Sequence, residues 1–289
     1  MKRTYGSQSM IAPLRRVLVR RPDETFAGAD PERWHYKGRP ILKIAQQEHD
    51  GMVAIMRQAA IEVLYHDDAL PGISDAIYVH DPAIVTDRGA IILKMGKDLR
   101  RGEEGAMARC LEALGVPVIY TLHGQARAEG GDLLWVDHNT LAVGLGFRTN
   151  GEGLGQLTEA LYARGITILP VELPYYQGPE SCLHLMSLIS IVDRELAVAY
   201  QPLLSAPFWQ YLQERSFKLV PVPEEEFVTM GPNVLALAPG KCLMLQGNPV
   251  TKKRLEASGC EVLTYQGTEI SHRAQGGPTC LTRPILREE

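Results

Sequence analysis

Hydrophobic and polar positions recur in a fixed order along this chain. The clearest case has apolar runs over 75–85 and 90–94 on either side of a polar turn at 87–89, then a helical stretch over 102–114 and an apolar run over 116–120. A turn of the form Asp-x-Gly between β-branched runs predicts a hairpin. Apolar residues spaced three and four apart predict the helix, and the last apolar run predicts a third strand.

The same order of hairpin, helix and strand returns in three further segments. Their predicted elements lie at 132–136, 140–144, 155–164 and 167–171, at 185–192, 196–200, 206–213 and 218–222, and at 233–237, 241–246, 249–258 and 261–265. The two ends of the chain together supply a fifth set, with strands at 280–286 and 15–20, a helix at 44–59 and a strand at 61–65.

Repeats of this size and fixed order indicate equivalent units that are stacked or arranged radially. A ring closed by both ends of the chain would leave no exposed sheet edge. We therefore predict an α/β fold, a five-fold pseudosymmetric α/β propeller of ββαβ-type units that forms one domain over residues 1–289. A linear α/β protein with two domains is the alternative.

Composition and charge narrow the class of protein. The 289 residues carry a formal net charge of −4, without the basic excess that a sequence-blind nucleic-acid binder needs. No apolar run is long enough for a membrane span, and residues 1–9 lack the hydrophobic stretch of a signal peptide. The five cysteines form no CxxC pair, so neither a disulfide framework nor a thiolate zinc site is predicted. These features predict a soluble, cytoplasmic protein.

Polar residues interrupt the predicted first strands of four different units. They are the pair His80 and Asp81, the segment Glu-Gly-Gly-Asp at 129–132, His184 and Cys280. Each has an ordinary structural explanation by itself: a bulge cap, an Asx-type turn, a core histidine and a small buried thiol. Radial assembly of the units would bring all four together, which makes them candidates for a shared site.

The combined pattern of these residues is more specific than any one of them. Glu-Gly-Gly-Asp at 129–132, then His184, then Gly-Gly-x-x-Cys ending at Cys280 resembles the guanidine-modifying enzymes of the pentein superfamily. These include arginine deiminases, glycine amidinotransferases and dimethylarginine dimethylaminohydrolases, and the chain length is most similar to the last group. The resemblance extends over essentially the whole chain, including 10–22, 78–82, 99–103 and 144–150. It implies the five-unit α/β propeller fold of that superfamily.

The resemblance also implies roles for single residues. Cys280 matches the superfamily nucleophile, His184 the general acid and base, and Glu129 the carboxylate that orients the histidine. Asp81 matches the aspartate that binds the substrate guanidinium. The residues at the positions where dimethylarginine hydrolases hold the amino-acid end of their substrate are Asp75, Arg100 and Arg148.

The chemistry explains why such residue types are needed. A guanidinium is a resonance-stabilised cation, so its carbon accepts a nucleophile only when the cation is held and the leaving amine is protonated. A thiolate is a strong nucleophile near neutral pH, provided that a neighbouring cation favours its ionisation. A histidine can protonate the leaving amine and then accept a proton from the hydrolytic water. This chemistry requires no cofactor, and Cys182 with His184 alone would not make a metal site.

Two positions depart from the relatives. His80 stands where dimethylarginine hydrolases carry a glutamate, and we count it among the candidate substrate-binding residues. Met186 stands where deiminases and amidinotransferases carry a second aspartate, which favours a guanidinium with an apolar N-substituent over free arginine. The segment 34–40 is expected to be either a lid over the site or a surface loop.

We therefore expect a hydrolase that cleaves a C–N bond of a substituted guanidinium, such as an N-substituted arginine that would give citrulline and an amine. An amidinotransferase or an arginine deiminase is the alternative among enzymes, and a non-catalytic propeller that binds a partner is the alternative from another class. The expected partners are a small guanidino substrate and, in a homo-oligomer, further copies of the chain, with no nucleic acid and no membrane.

Overall fold

The computed structural model describes residues 3–288, which contain five three-stranded sheets. The predicted domain extends beyond them at both ends, so residues 1, 2 and 289 lie outside the described part. The strands are, in chain order, β1 (Leu14–Val19), β2 (Glu62–Tyr65), β3 (Ala83–Thr86), β4 (Gly89–Ile92), β5 (Val118–Thr121), β6 (Leu133–Asp137), β7 (Thr140–Leu145), β8 (Thr167–Glu172), β9 (Ile189–Asp193), β10 (Leu196–Ala199), β11 (Lys218–Pro221), β12 (Val234–Ala238), β13 (Lys241–Leu245), β14 (Glu261–Tyr265) and β15 (Arg283–Arg287).

Every sheet has the same internal plan. A central strand pairs antiparallel with the first strand of its unit and parallel with the third, as in the order β3-β4-β5. A helix connects the central strand to the third in each unit, because parallel strands require a crossover. The prediction of five ββαβ units is thereby confirmed.

The helices have the following bounds. They are α1 (Glu24–Ala27), α2 (Pro31–Trp34), α3 (Leu42–Gln58), α4 (Glu103–Ala113), α5 (Gly151–Tyr162), α6 (Leu185–Leu188), α7 (Ala206–Glu214), α8 (Glu224–Phe227) and α9 (Pro249–Ala257). Short 3-10 turns occupy Ser74–Ile77, Asp98–Arg100, Gly130–Asp132 and Gln201–Leu203, and a π-helical turn occupies Thr268–Arg273. No helix in the described part of the chain is both long and apolar enough to cross a membrane.

The ring closes through the sheet β15-β1-β2, as the sequence predicts. Strand β1 pairs antiparallel with β15 and parallel with β2, and Gly6 forms a further bridge to Leu286. Hydrophobic side chains from adjoining sheets and their helices form the buried core between units. One cluster joins β1 and α3 with residues of β12 and β13 and with Leu281, so segments near both ends of the described chain share a core.

The first strands begin later than the sequence predicts in three units. Residues 75–82 form a 3-10 turn and loop before β3, His184 precedes the short helix α6 rather than lying on a strand, and Cys280 lies in a loop before β15. A continuous apolar run does not distinguish a strand from a buried turn. As a result, the candidate polar residues lie on irregular lead-in segments that precede the first strands.

Candidate active site

The lead-in segments converge on one cavity. It has a volume of about 280 Å³ and is lined, among others, by Asp75, Asp81, Arg100, Arg148, His184 and Cys280. Glu129 lies directly behind His184 and is fully buried. Radial assembly thus brings together residues that are far apart in the sequence, as the repeat predicts.

The loop that carries Cys280 is held in place by close backbone contacts. A Cβ on Gly276 would lie 2.1 Å from the Tyr78 ring, and a Cβ on Gly277 would lie 2.5 Å from the Asn233 side chain. Only glycine fits at these two positions without displacing a neighbour. Asn233 also accepts a hydrogen bond from the Thr279 N–H (3.1 Å) and donates one to Cys280 Sγ (3.4 Å).

A buried carboxylate fixes the π-helical turn just before this loop. Glu48, on the buried face of α3, accepts hydrogen bonds from the backbone N–H groups of Thr268, Glu269 and Ile270 at 2.8–3.1 Å. These groups would otherwise be unpaired at the start of the turn. The long helix α3 therefore supports the segment that leads to the thiol.

His184 is oriented from three sides. Its Nε2 lies 2.7 Å from Glu129 Oε2, its backbone N–H donates to Ser187 Oγ (3.0 Å), and the next N–H donates to Asp132 Oδ1 (2.9 Å). Gly131 packs against the ring, where a Cβ would lie 2.4 Å from Nδ1. Because Nε2 faces Glu129, Nδ1 is the nitrogen left to face the cavity.

Glu129 is ionised and accepts hydrogen bonds from several donors at once. Its Oε1 accepts hydrogen bonds from the backbone N–H groups of Gly96 and Lys97, both at 2.9 Å, and Arg148 Nη1 lies 3.6 Å from its Oε2. Burial acts to raise the pKa of Glu129, but the His184 hydrogen bond and the Arg148 charge outweigh it and hold that pKa well below its ordinary value.

The thiol and the imidazole are both protonated at rest, so the thiol is neutral and the imidazole carries a positive charge. Burial, reinforced by the Asp81 charge, raises the pKa of Cys280 to about 11, so the thiol is protonated at neutral pH. Burial opposes the charged form of His184, but negative charge at Cys182 and Asp132 outweighs it and raises the pKa of His184 well above its ordinary value. A protonated histidine is the form that can donate a proton to a leaving group.

Asp81 belongs to a buried cluster in which two carboxylates share one cation, here called the Asp81 cluster (Asp81, Arg100 and Glu103). Arg100 Nη1 donates to Asp81 Oδ2 at 2.6 Å, while its Nε and Nη2 both donate to Glu103 at 2.8 Å. The Gly131 N–H donates to Asp81 Oδ1 at 2.9 Å. Burial raises the pKa of Glu103 to about 7 in spite of Arg100. When both carboxylates are ionised, this cluster has one negative charge in excess.

Asp75 belongs to a second cluster with a different balance, here called the Asp75 cluster (Asp75, Lys97 and Tyr36). Lys97 Nζ lies 2.6 Å from Asp75 Oδ2, and Tyr36 OH donates to Asp75 Oδ1 at 2.7 Å. The ammonium also lies 4.9 Å from the centre of the Trp34 ring, a cation–π contact. One cation here faces one carboxylate, so the cluster is neutral.

The structure does not bring His80 to the cavity, contrary to the sequence prediction. Its Nδ1 lies 2.8 Å from the Thr282 carbonyl oxygen, and its backbone N–H donates to the Cys280 carbonyl oxygen at 3.2 Å. Burial and the Arg283 charge lower the pKa of His80 well below its ordinary value. This neutral ring ties the Asp81 segment to the Cys280 segment rather than lining the site.

The segment 34–40 contributes to the cavity, so it is not a plain surface loop. Trp34 and His35 line the cavity, and Tyr36 is buried with its hydroxyl on Asp75. Gln275 Nε2 donates to the His35 carbonyl oxygen at 2.9 Å, which attaches this segment to the loop of Cys280. The segment forms one wall of the cavity.

Sequence reasoning missed Lys97 and Asn233. Asn233 directly precedes β12, so it occupies in its unit the lead-in position that Cys280 and the other polar residues occupy in theirs. That equivalence in the repeat could have identified it. Nothing in the local sequence marks Lys97, because its partners Asp75 and Trp34 belong to other segments.

Cys182 is a second thiol at the cavity, and it is exposed. Its Sγ lies 3.6 Å from His184 Nδ1. Desolvation opposes the thiolate, but the His184 and Arg148 charges outweigh it and lower the pKa of Cys182. The pKa values of the two thiols are therefore shifted in opposite directions, and Cys182 is the one that contacts the histidine in the resting site.

Three side chains at or behind the cavity wall lie close enough together to bind one metal ion jointly. Asp81, Glu129 and His184 each place one ligand-type atom within 4.8 Å of the others. His184 Nε2 is already bonded to Glu129, and the guanidinium cations of Arg100 and Arg148 adjoin these carboxylates. These cations would repel a divalent ion. A planar organic cation can instead stack against an arginine side chain and donate hydrogen bonds to the carboxylates.

Comparison with known families agrees with this geometry. The family described as N,N dimethylarginine dimethylhydrolase, eukaryotic, matches residues 30–287. The chain belongs to this family. The resemblance to the pentein superfamily is thereby confirmed, and the protein is a guanidino-modifying pentein enzyme.

Individual relatives of this family member are distant. The uncharacterized protein YkgA of Bacillus subtilis is 29% identical over 251 residues, which are 86% of this chain and 82% of the relative. The N(G),N(G)-dimethylarginine dimethylaminohydrolase of Pseudomonas aeruginosa is 25% identical over 248 residues, 85% of this chain and 90% of the relative. A structure of the Pseudomonas aeruginosa enzyme complexed with citrulline superposes with a TM-score of 0.78 and 21% identity, covering 94% of this chain and all of that one. The predicted propeller fold is confirmed.

Proposed function

We propose that this family member hydrolyses a C–N bond of a substituted guanidinium through a covalent intermediate on Cys280, as a dimethylarginine hydrolase would. The observation that carries the proposal is the placement of Cys280, the Glu129-bound His184 and Asp81 around a single cavity. These are the nucleophile, the oriented acid and base, and the anionic group that the reaction requires.

The first step is ionisation of the thiol with the substrate bound. A guanidinium beside Asp81 would offset the negative charge that helps to keep the Cys280 thiol protonated. Binding of the cation therefore lowers the pKa of Cys280, so the thiol releases its proton to solvent and the thiolate forms where it is needed. A substrate without positive charge would leave the thiol in its inert form.

The second step is transfer of the amidino group to sulfur. The thiolate attacks the guanidinium carbon, and the His184 imidazolium gives its Nδ1 proton to the departing nitrogen as the C–N bond breaks. The products of this step are an S-alkylthiouronium on Cys280, a free amine and a neutral histidine. Glu129 stabilises the imidazolium before the transfer and keeps the ring aligned throughout.

The third step is hydrolysis. Water attacks the thiouronium carbon, and neutral His184 accepts one of its protons. The C–S bond then breaks and the remaining water proton is lost to solvent, which releases a ureido product and regenerates the thiolate. The released amine takes up one proton from solvent. Over the cycle, one guanidinium and one water give a ureido compound and a protonated amine.

A neighbouring cavity supports a substituted guanidinium as substrate. It has a volume of about 110 Å³, adjoins Cys280 and His184, and has an apolar wall of Tyr176, Phe227, Val228 and Met230. Met186 is buried in the core and lies on neither cavity, so the apolar room is not provided where the sequence suggested. No carboxylate of the described residues lines this second cavity.

The test is formation of a ureido product by the purified protein from N-methylated guanidino compounds. The panel is offered both methylated and unmethylated, and Cys280→Ser is the control. We expect turnover of a methylated compound that is lost in the control. Consumption of an added amine acceptor instead of water would show an amidinotransferase, and equal turnover by the Cys280→Ser variant would contradict the covalent mechanism.

A further inference from the structure

Asp75 and Lys97 of the Asp75 cluster line the cavity that also contains Asp81. Asp75 lines the same cavity as Cys280, and its side chain is only 8% exposed. Both of its oxygens already have strong partners, Oδ2 with Lys97 Nζ and Oδ1 with Tyr36 OH. A carboxylate in this state offers little attraction to a further cation.

The hydrogen-bond donors at this part of the cavity favour an anion over a cation. Lys97 is 14% exposed, held between Asp75 and the Trp34 ring, and Arg148 also lines the cavity. Each cation already faces one carboxylate, Asp75 for Lys97 and Glu129 for Arg148, but both can donate further hydrogen bonds to a substrate carboxylate. A substrate ammonium would have to displace Lys97 from Asp75 or lie beside its like charge.

One other acid of the described residues reaches this cavity away from Asp81. Glu180 lines it, but its side chain is 80% exposed and pairs with His35 Nε2 at 3.1 Å. Water screens such an exposed carboxylate, so it would bind an ammonium weakly. The described cavity thus has no free buried acid for an α-ammonium group.

We propose that the substrate is a guanidino carboxylate without a free α-ammonium group. This inference rests on the proposed function, and it names the class of compound on which that chemistry acts. Two kinds of compound share the required chemistry: a linear ω-guanidino acid, and an arginine derivative whose α-nitrogen is acylated. In both, the guanidinium binds at the Asp81 cluster and the carboxylate binds at Lys97 and Arg148.

The first experiment compares ligands that differ by one group. Calorimetry with Cys280→Ser measures the Kd of arginine, of 5-guanidinopentanoate, which is arginine without its α-ammonium, of Nα-acetylarginine, and of agmatine, which lacks the carboxylate. We expect 5-guanidinopentanoate to bind about tenfold or more tightly than arginine, and agmatine to bind most weakly. Nα-Acetylarginine distinguishes the two kinds of compound, since it binds well only if the site accepts the acyl group.

The second experiment changes the cation itself. In the Cys280→Ser background, Lys97→Met frees the Asp75 carboxylate and removes a partner of the substrate carboxylate, so the preference should reverse in favour of arginine. Lys97→Arg keeps the charge and should keep the preference for 5-guanidinopentanoate. Melting temperature and circular dichroism confirm that each variant is folded, and Lys97→Arg remains informative if Lys97→Met is not.

These outcomes separate this inference from the proposed function. Arginine that binds as tightly as 5-guanidinopentanoate, or no binding of any of the four ligands, overturns the inference while turnover by wild type can still support the hydrolase. The expected order of affinities without turnover of any methylated analogue overturns the hydrolase and leaves the binding preference standing. If Glu180→Gln abolishes arginine binding, then that exposed acid is the ammonium site and the inference is wrong.

Discussion

The Asp81 and Asp75 clusters both pair a buried aspartate with a cation, but the first has an excess of negative charge and the second is neutral. In the first, Arg100 is shared between Asp81 and Glu103, so the acids outnumber the cation. In the second, Lys97 faces Asp75 alone and a tyrosine hydroxyl occupies the remaining oxygen. Both aspartates line one cavity.

The difference lies in the neighbours rather than in the aspartates. A buried carboxylate attracts a ligand cation only to the extent that resident cations leave its charge uncompensated. Asp81 retains that capacity because Glu103 takes part of the Arg100 charge. Asp75 loses it to Lys97. Two buried aspartates of one cavity can therefore favour different ligand groups because of a single neighbouring residue.

Asp81→Asn should have the largest effect on ligand binding. In the Cys280→Ser background, calorimetry should show the Kd for 5-guanidinopentanoate raised about 10²-fold, because a buried charge partner of the guanidinium is lost. Arg100 keeps Glu103, so the fold is retained. Asp75→Asn is the matched control and should change the same Kd by less than about tenfold. Equal losses in both variants would show that the two clusters do not differ.

Glu103→Gln should have the next largest effect and should also change the pH dependence. Since burial raises the pKa of Glu103 to about 7, its negative charge is present above that pH and lost below it. Guanidinium binding by Cys280→Ser should therefore weaken as the pH falls from 8 to 6. The additional Glu103→Gln change should raise the Kd about tenfold at pH 8 and flatten this dependence.

Glu112→Gln is the control for that experiment. It lies on the exposed side of the same helix, α4, and should leave both the Kd and its pH dependence unchanged. A slope that persists in Glu103→Gln would assign the titration to another group.

The pH dependence of Cys280 alkylation tests how strongly each aspartate raises the pKa of that thiol. With the pKa of Cys280 raised to about 11, the thiolate fraction, and with it the rate of reaction with iodoacetamide, should rise about tenfold per pH unit between pH 8 and 10. Asp81→Asn removes a charge that raises this pKa, so its profile should move to lower pH, whereas Asp75→Asn should leave the profile in place. Peptide mass spectrometry separates Cys280 from Cys182. Identical shifts in both variants would contradict the assignment.

Tyr36→Phe should have the smallest effect, and it tests whether Lys97 alone is enough to neutralise Asp75. It removes one buried hydrogen bond, so urea unfolding should show a free energy of unfolding lower by about 1 kcal/mol. The preference for 5-guanidinopentanoate over arginine should persist, because Lys97 still neutralises Asp75. Tyr162→Phe, at an exposed tyrosine, is the control and should change neither quantity.

The regular elements could be predicted from sequence because their signals are local. Strand β14 lies at the predicted positions, and α7 and β11 differ from prediction by one residue at an end. The lead-in segments could not be predicted in this way. Their course depends on contacts between units, such as the Gly131 N–H on Asp81 and the Leu185 N–H on Asp132. Such contacts leave no trace in the hydrophobic pattern.

The residues of the candidate site also fall into those that the sequence could identify and those that it could not. Cys280, His184, Glu129 and Asp81 stand in motifs, so the sequence identified them and the structure places them together. Lys97 is part of no motif, and its importance follows from what it touches. The prediction for His80 failed because adjacency to Asp81 in the chain does not fix the direction of a side chain in an irregular loop.

The sheet that joins β1 to β15 has a consequence for the order of folding. It pairs segments from opposite ends of the described chain, whereas each of the other four sheets is built from one continuous stretch. Closing so large a loop is slow, since its entropy must be lost before the pairing gives any stability. Cys280 lies just before β15, in a loop held by Asn233 of the neighbouring unit. During refolding, its thiol should therefore become protected from reagents late, after most of the circular dichroism signal has returned.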